Sequence, residues 1–357
     1  MNDPNPTAPA GTLTVEPFGV AVPVAAGERL LDAILRAGHW VPFGCNHGGC
    51  GTCAARVVAG QVHQQPDTLT TLDSRARAHG QILLCSTRLS GDTAAIDITA
   101  GGLTEEEFRS TTIHDVTTTI RTVAEVGDGL RLLRLATPPP PWQLEPGQFL
   151  HLQLPDRTGW RAYSPASPPG TATMDLLIRT VPGGAFSTAL DELAPGDTIR
   201  CRGPFGTFTV RSSHRHKLFI GGGAGIGPLR AMIHDALGRR LHTPVDLIHT
   251  ARTPADLAFG DEFTALAATD DRFHYHPLTP RAQGEATRGA DLVGGWIDTT
   301  TIPLRRAEAY LCGPDRFVDI VADRLVRAGL RPRYLFTDRF TASTGGPTDN
   351  LTPSEEP

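Results

Sequence analysis

The stretch Cys45-Asn46-His47-Gly48-Gly49-Cys50-Gly51-Thr52-Cys53, with a distant fourth thiol at Cys85, decides how the rest of the chain is read. Four residues separate Cys45 from Cys50 and two separate Cys50 from Cys53, the plant-type spacing in which four thiolates hold two irons of a 2Fe-2S cluster. Gly44, Gly48, Gly49 and Gly51 surround the ligands, as expected where backbone wraps closely and turns its N–H groups toward the cluster sulfurs. Structural zinc prefers two ligand pairs of short spacing, and this loop has three thiols on one side and one on the other. A disulfide framework belongs to short secreted chains, and 357 residues without a signal peptide do not fit it. Cys201 and Cys312 fall outside the spacing, and the strand-like run around Cys201 reads as a small buried thiol.

The length suffices for two or three domains with separate cores. A formal charge of −5 is modest and spread out, which points to neither nucleic acid nor a membrane surface as partner. No apolar run reaches spanning length, so a soluble cytoplasmic protein is expected, and reactive thiolates suit that reducing compartment. Lys217 is the only lysine among 33 basic residues.

Three styles of patterning follow one another. Residues 12–100 read as an α+β, β-grasp-like ferredoxin domain. Thr12 to Val15 and Val20 to Val24 form a hairpin signal, and Leu30, Leu31, Ile34 and Leu35 recur at helical spacing up to Gly38. A helical stretch is expected over Leu69 to Ala78, and a short apolar run, Ile82 to Leu84, delivers Cys85. A polar linker, 101–110, leads into residues 111–212, where short strands between Pro- and Gly-rich breaks predict an antiparallel β-barrel. Residues 213–340 alternate strands and helices and predict an α/β domain with a parallel sheet. Residues 1–11 and the tail 341–357 are expected to be disordered.

Gly221-Gly-Gly-Ala-Gly-Ile-Gly-Pro228 sits between a strand and a helix, where free backbone N–H groups and a helix dipole suit a phosphate. It is not the G-x-G-x-x-G fingerprint, since Ile226 occupies the last glycine position, and it is not a P-loop. Arg161-Ala-Tyr163-Ser164 ends a strand with a cation, a stacking ring and a hydroxyl. Gly183-Gly-Ala-Phe-Ser187 offers a second glycine turn into a helix. His214 and His216 lack accompanying carboxylates at ligand spacing and read as a surface turn.

Taken together, these parts and their order resemble the ferredoxin-NADP reductase superfamily, in particular the reductase components of multicomponent oxygenases with an N-terminal plant-type ferredoxin. Within them the likeness is greatest to the phenol hydroxylase reductases of di-iron monooxygenases. The resemblance spans Thr12 to Phe340 and implies FAD, NADH and a 2Fe-2S cluster as cofactors. Arg161, Ala162, Tyr163 and Ser164 match the Arg-x-Tyr-Ser flavin motif, and Gly184 and Ser187 match the turn that holds the FAD pyrophosphate. Gly223, Gly225 and Pro228 match the nicotinamide-nucleotide loop, and Cys312-Gly313-Pro314 matches the strand end where the nicotinamide approaches the flavin. Asp338-Arg339-Phe340 stands where relatives commonly show Glu-Arg/Lys-Phe, and Asn46 follows the first cluster cysteine where many carry arginine. Catalytic roles beside the flavin are thereby implied for Ser164, Cys312, Asp338 and Phe340, and metal ligation for Cys45, Cys50, Cys53 and Cys85.

The chemistry so implied converts electron number: a hydride from the nicotinamide reaches the flavin, and single electrons leave through the cluster. An oxygenase or hydroxylase component, or a small ferredoxin feeding one, is the expected acceptor, with no nucleic acid and no membrane involved. Arg252 could meet a 2′-phosphate, yet reductases resembling this one carry similar Ala-Arg-Thr sequences and mostly use NADH, so NADH is favoured with NADPH open. Other readings are a reductase for a Rieske ring-hydroxylating dioxygenase, an electron carrier that has lost nucleotide binding, and a structural zinc protein.

Overall fold

In β1 (Pro9–Glu16) every second side chain, Leu13 and Val15, is fully buried, the period of two that a half-covered strand requires. It pairs antiparallel with β2 (Val20–Ala25) around Gly19, whose φ of 60° suits the tight connection. This computed structural model describes residues 9–43, 48, 51–64, 72–99, 103–105, 108, 113–127, 129–139, 142, 144–154, 160–239, 243–280 and 288–340. The expected disordered ends, 1–11 and 341–357, lie outside these residues except for Pro9–Gly11, which begin β1 because Pro9 pairs with Ala25. The expected 101–110 linker is described only at 103–105 and 108.

By contacts the chain divides into two units, Met1–Asp115 with Arg202–Gly206, and Val116–Cys201 with Thr207–Pro357. In the first, α1 (Leu30–Arg36) buries Leu30, Leu31, Ala33, Ile34 and Leu35, each leucine contributing about 2 kcal/mol by leaving water. Gly38, at φ 83°, ends it. β3 (Ala54–Gln64) and β4 (Gln81–Leu83) pair antiparallel, and β5 (Thr87–Asp97) runs antiparallel to β3 but parallel to β1. The order is β2-β1-β5-β3-β4. Of the helix expected over Leu69 to Ala78, residues 69–71 lie outside the described set and α2 spans only Ser74–Ala78, because the Asp73 side chain caps it by accepting from the Ala76 N–H at 2.7 Å.

The barrel strands are β6 (His114–Gly127), β7 (Leu130–Ala136), β8 (Phe149–Gln153), β9 (Trp160–Tyr163), β10 (Thr173–Arg179) and, after α3 (Ala185–Glu192), β11 (Thr198–Phe205), all in the second unit but for the first two residues of β6 and the last four of β11. They form one sheet in the order β10-β7-β6-β11-β8-β9. An antiparallel bridge from Pro165 to Leu176 joins the end of β9 to β10 and closes the barrel. Leu133, Leu135, Leu150, Leu152, Leu176 and Cys201 fill it.

The rest is doubly wound: β12 (His216–Gly222), α4 (Ile226–Gly238), β13 (Val245–Thr250), α5 (Gly260–Thr269), β14 (Phe273–Leu278), α6 (Gly289–Thr299), β15 (Ala307–Gly313), α7 (Asp315–Arg327) and β16 (Leu335–Arg339). The sheet is parallel throughout, in the order β14-β13-β12-β15-β16. Successive strands step outward from β12 to β14 and then restart at β15, so the crevice at the C-terminal ends of β12 and β15 is the switch point where such sheets bind ligands. Two cores flank the sheet. Phe219, Leu229, Ile233, Leu247, Phe263 and Tyr310 belong to one, and Leu218, Ile220, Ile248, Val293, Leu311 and Val321 to the other.

Lys217 is fully buried in an ion pair with Glu308, whose carboxylate also accepts from the Tyr310 and Ser213 hydroxyls at 2.8 Å. Burial pulls the Lys217 pKa down, and Glu308 works against that pull. The reading of His216 as surface turn is corrected: it starts β12 and meets the buried Asp246 at 2.6 Å, as does His276 from β14. The carboxylate is thirty residues away and comes into reach only through sheet pairing, which no local spacing reveals. These two imidazoles hold the Asp246 carboxyl well below the usual range against the opposing effect of burial. Among the described residues no helix is long and apolar enough to cross a membrane.

Candidate functional site

Cys53 closes the turn before β3, and Cys85 sits on a single 3-10 turn, Leu84–Ser86, between β4 and β5. Both thiols are buried, with Sγ atoms 3.3 Å apart, and the Leu84 N–H donates to the Cys53 carbonyl at 3.0 Å. That separation is far too long for a disulfide. It is close to the separation of about 3.7 Å between two thiolates on one tetrahedral metal. Gly51, at φ 75°, makes the preceding turn, and Arg29 donates to the Cys85 carbonyl at 3.4 Å. Cys45 and Cys50 lie outside the described residues.

In the barrel, Arg161 and Tyr163 lie two residues apart on one face of β9, and Ala162 on the other is exposed. The Tyr163 ring packs on Phe186 of α3 with centroids 5.0 Å apart. Burial drives its phenol pKa up, and Arg161 is close enough to oppose the rise. Ser164 follows, buried at the strand end. The α3 N-terminus has Gly184 as its cap, and the Ser187 hydroxyl accepts from the Val181 N–H at 2.8 Å, which shapes the glycine turn. Arg161, whose Nη1 donates to the Trp160 carbonyl at 3.0 Å, offers a guanidinium and the α3 N-terminus offers first-turn N–H groups, the donor types a pyrophosphate takes.

The glycine loop is drawn tight by its neighbours. A Cβ on Gly225 would overlap the Cys312 carbonyl oxygen, and one on Gly222 would overlap the Thr250 hydroxyl. Gly223 needs its φ of 56°, and a Cβ there would lie 2.7 Å from an Arg179 nitrogen. Pro228 is buried inside the first turn of α4, where it shapes the helix start. A cavity of about 430 Å³ opens at these strand ends, lined by Gly222, Gly223, Thr250, Arg252, Asp256 and Pro314. A second, of about 540 Å³, lies against Gly183, Ser187 and Arg131, and Arg179 and Arg252 line both. Arg179 is a site residue that sequence reading missed; its only mark is its place just before the Val181 to Gly184 turn. His249, also missed, is fully buried at the end of β13, its Nδ1 3.1 Å from the Tyr275 hydroxyl, and burial lowers its pKa to about 3.

At the end of β15, Cys312 is fully buried and lies opposite Asp338 of β16, with Sγ 4.0 Å from the carboxylate. Gly313 accepts from the Phe340 N–H at 2.9 Å, which brings Asp338 and Phe340 to the same strand end as Cys312, Gly313 and Pro314. The half-buried Asp338 carboxyl is pushed up to about 7 by burial, with a bond from the Arg339 backbone opposing. Burial drives the Cys312 thiol upward as well, and Asp338 adds to it.

Asp338 makes stability depend on pH. Unfolded, it ionises near 3.8, and folded near about 7. Between these values the folded protein keeps a proton that the unfolded chain has lost, so this group's support is whole below pH 4 and drains away as pH rises to 7. In the apoprotein, Asp338→Asn should therefore raise the thermal midpoint at pH 8 and leave it near wild type at pH 4. At about 1.4 kcal/mol for each pH unit, the effect has a ceiling of about 4 kcal/mol. Equal shifts at both pH values would contradict the assignment.

Comparisons with known proteins agree with this geometry. Residues 13–90 match the 2Fe-2S iron-sulfur cluster binding domain, 117–210 the oxidoreductase FAD-binding domain and 219–323 the oxidoreductase NAD-binding domain. The reductase component of phenol 2-monooxygenase from a Pseudomonas species is 31% identical over 345 residues, covering 94% of this chain and 95% of its own. The electron transfer component of anthranilate 1,2-dioxygenase from Acinetobacter baylyi is 28% identical over 336 residues, 92% of this chain and 95% of its own. A crystal structure of a cytochrome P450 reductase from Amycolatopsis superposes with a TM-score of 0.77 at 29% identity, covering 93% of this chain and 99% of the other.

Proposed function

Because the chain belongs to the ferredoxin-NADP reductase superfamily, among the oxygenase reductase components that carry their own N-terminal 2Fe-2S domain, we propose that it supplies NADH-derived electrons to a di-iron monooxygenase hydroxylase of phenol or hydrocarbon type. The observation that carries this reading is the sharing of Arg179 and Arg252 between the glycine-loop cavity and the cavity against the α3 turn, which puts two nucleotide-sized spaces side by side on one lobe pair. The proposed domain limits are residues 12–100, 111–212 and 213–340.

The residues present fit the implied groups. Cys53 and Cys85 are soft donors held buried and convergent, and Cys45 and Cys50 complete the proposed ligand set. Arg161, Gly184 and Ser187 would hold the FAD pyrophosphate, with Tyr163 and Ser164 beside the ring. Gly222 and Gly223 line the cavity at the strand ends, and their lack of a Cβ lets Thr250 and Arg179 pack against them there, leaving bare loop backbone beside the space a nicotinamide nucleotide would take. When bound, FAD supplies the conversion of a two-electron donor into single electrons.

The remaining work is placement. Gly223, Gly225 and Arg179 would hold the pyrophosphate of the nucleotide at the N-terminus of α4. Cys312, Gly313 and Pro314 form the strand end that would face the nicotinamide. Asp338, its carboxyl pushed up to about 7 by burial, stands at the same strand end as Phe340 and the buried Cys312. Arg252 and Asp256 line one cavity; the acid disfavours a 2′-phosphate and favours free ribose hydroxyls, which supports NADH.

Anaerobic holoprotein should bleach with NADH, and kcat/KM should favour NADH over NADPH by about tenfold or more, a difference of about 1.4 kcal/mol. An NADPH preference would reverse the coenzyme assignment. Reconstitution against a di-iron hydroxylase and a Rieske dioxygenase decides the client, since the anthranilate dioxygenase relative gives the second a specific basis. Turnover with the dioxygenase alone would replace the first reading.

A further inference from the structure

Arg230 stands on α4, five residues past Gly225 of the glycine loop, yet its contacts reach the barrel and the β13 to α5 connection. Its Nη1 donates to the Ala166 carbonyl at 2.8 Å, two residues beyond Ser164, and lies 3.8 Å from the Asp175 carboxylate. Its Nε lies 2.9 Å from both oxygens of Glu262 on α5. The guanidinium also covers the Phe259 ring at 4.6 Å. Only 12% of the side chain is exposed, so these bonds are made largely out of water, unlike an ordinary surface ion pair.

Each neighbour is itself fixed. Asp175 is buried and held in a fork by Arg134, at 2.6 and 3.0 Å. The Ala166 N–H donates to the Asp175 carbonyl at 2.7 Å, and the Asp175 N–H donates to the Ser167 hydroxyl at 2.5 Å. Glu262 also meets His234 at 2.8 Å. Phe259 is the one non-glycine residue among the described residues with positive φ, 62°, a conformation that costs about 1–3 kcal/mol and persists only where surroundings over-determine it. It ends the connection carrying Arg252 and Asp256, both of which line the nucleotide cavity.

Gly227, in the first turn of α4, faces Leu177 and Ala166, where an added Cβ would come within 3.3 and 3.5 Å. The helix therefore approaches the barrel closely, and Leu130 and Leu177 share its apolar core with Ile226 and Leu229. That packing is non-directional, whereas the bonds of one planar guanidinium fix direction as well as distance.

We propose that Arg230 is a positioning residue for hydride transfer, registering the glycine loop, the strand end after Ser164 and the Arg252–Phe259 segment against one another. The proposal rests on the reading that a nicotinamide reduces flavin within this chain. The test takes FAD-loaded wild type, Arg230→Lys, Arg230→Gln and Glu262→Gln through anaerobic rapid mixing with NADH, with FAD content, visible spectrum and hydrogen–deuterium exchange measured on the same samples.

The limiting rate of flavin bleaching should fall by about 10- to 100-fold in the Arg230 variants, because a misplacement of about 1 Å is worth up to that much. Lysine should not rescue it, since it cannot form the fork. Glu262→Gln should show a smaller loss in the same direction. NADH half-saturation and FAD content should stay near wild type, while exchange rises in the peptides holding Ser164–Ser167 and Arg252–Phe259. Wild type that fails to bleach with NADH would sink the parent reading instead. With wild type active, limiting rates within twofold overturn the role of Arg230. So does a loss confined to half-saturation, or a loss of FAD in all three variants.

Discussion

Cys85→Ser will purify with its flavin but without its iron, and NADH will still bleach that flavin while electron delivery to cytochrome c or an oxygenase stops. Cys85 is buried, and its Sγ lies 3.3 Å from that of Cys53. A serine oxygen there is a hard, protonated donor where a soft thiolate is needed. The loss should exceed the roughly 10- to 100-fold that removal of an outer partner of a metal ligand causes. Because binding of a structural metal is coupled to folding, the first unit should also melt earlier. Cys201→Ser is the control: that thiol lies in the barrel core, pushed up to about 12 by burial, and iron content should not change. Iron and sulfide analysis beside a stopped-flow trace reads both variants. Full iron retention in Cys85→Ser would remove this thiol from the ligand set.

Gly225→Ala is expected to have the next largest effect, at the other end of the electron path. The new Cβ would overlap the Cys312 carbonyl and approach the Gly313 Cα at 3.0 Å. Both are backbone of a central strand with neighbours on either side, and neither can swing away as a side chain would. Relief must come from the loop, which leaves its place between β12 and β15. Overpacking of this kind costs about 1–3 kcal/mol in stability. Catalysis should lose more: on the proposed reading kcat/KM for NADH falls about 100-fold, since the loop would hold the pyrophosphate and, through it, the place of the reacting ring. FAD content should hold, because Arg161, Gly184 and Ser187 are untouched. Gly238→Ala, near the end of the same helix with nothing within 4 Å of its Cβ, should leave turnover unchanged.

Much of this organisation was legible in the chain, and the boundary of legibility is physical. The Cys45 to Cys53 spacing could be read because cluster ligation imposes short, fixed intervals. Strand and helix alternation in the last domain could be read because a sheet covered on both faces needs unbroken apolar runs such as Leu218 to Ile220. The weaker elements escaped: β14 carries His274, Tyr275 and His276 at a sheet edge, and the Gly294-Gly295 pair interrupts the helical pattern of α6. Arg179, Arg230 and His249 escaped for a different reason. Nothing local distinguishes them from surface or core residues, and their roles exist only after β10, α4 and β13 are packed. His216 was misread on the same ground, since Asp246 is its neighbour across a sheet and not along the chain.

With its one lysine sealed beside Glu308, the folded protein presents acylating reagents with no side-chain amine. Carbodiimide or guanidine-directed crosslinkers, not succinimidyl esters, are therefore the tools for trapping an electron-transfer partner on it. The same seclusion makes Lys217 a built-in clock. The rate at which it becomes modified under mild denaturant reports how often the nucleotide lobe opens at β12, from a single atom and without an added label.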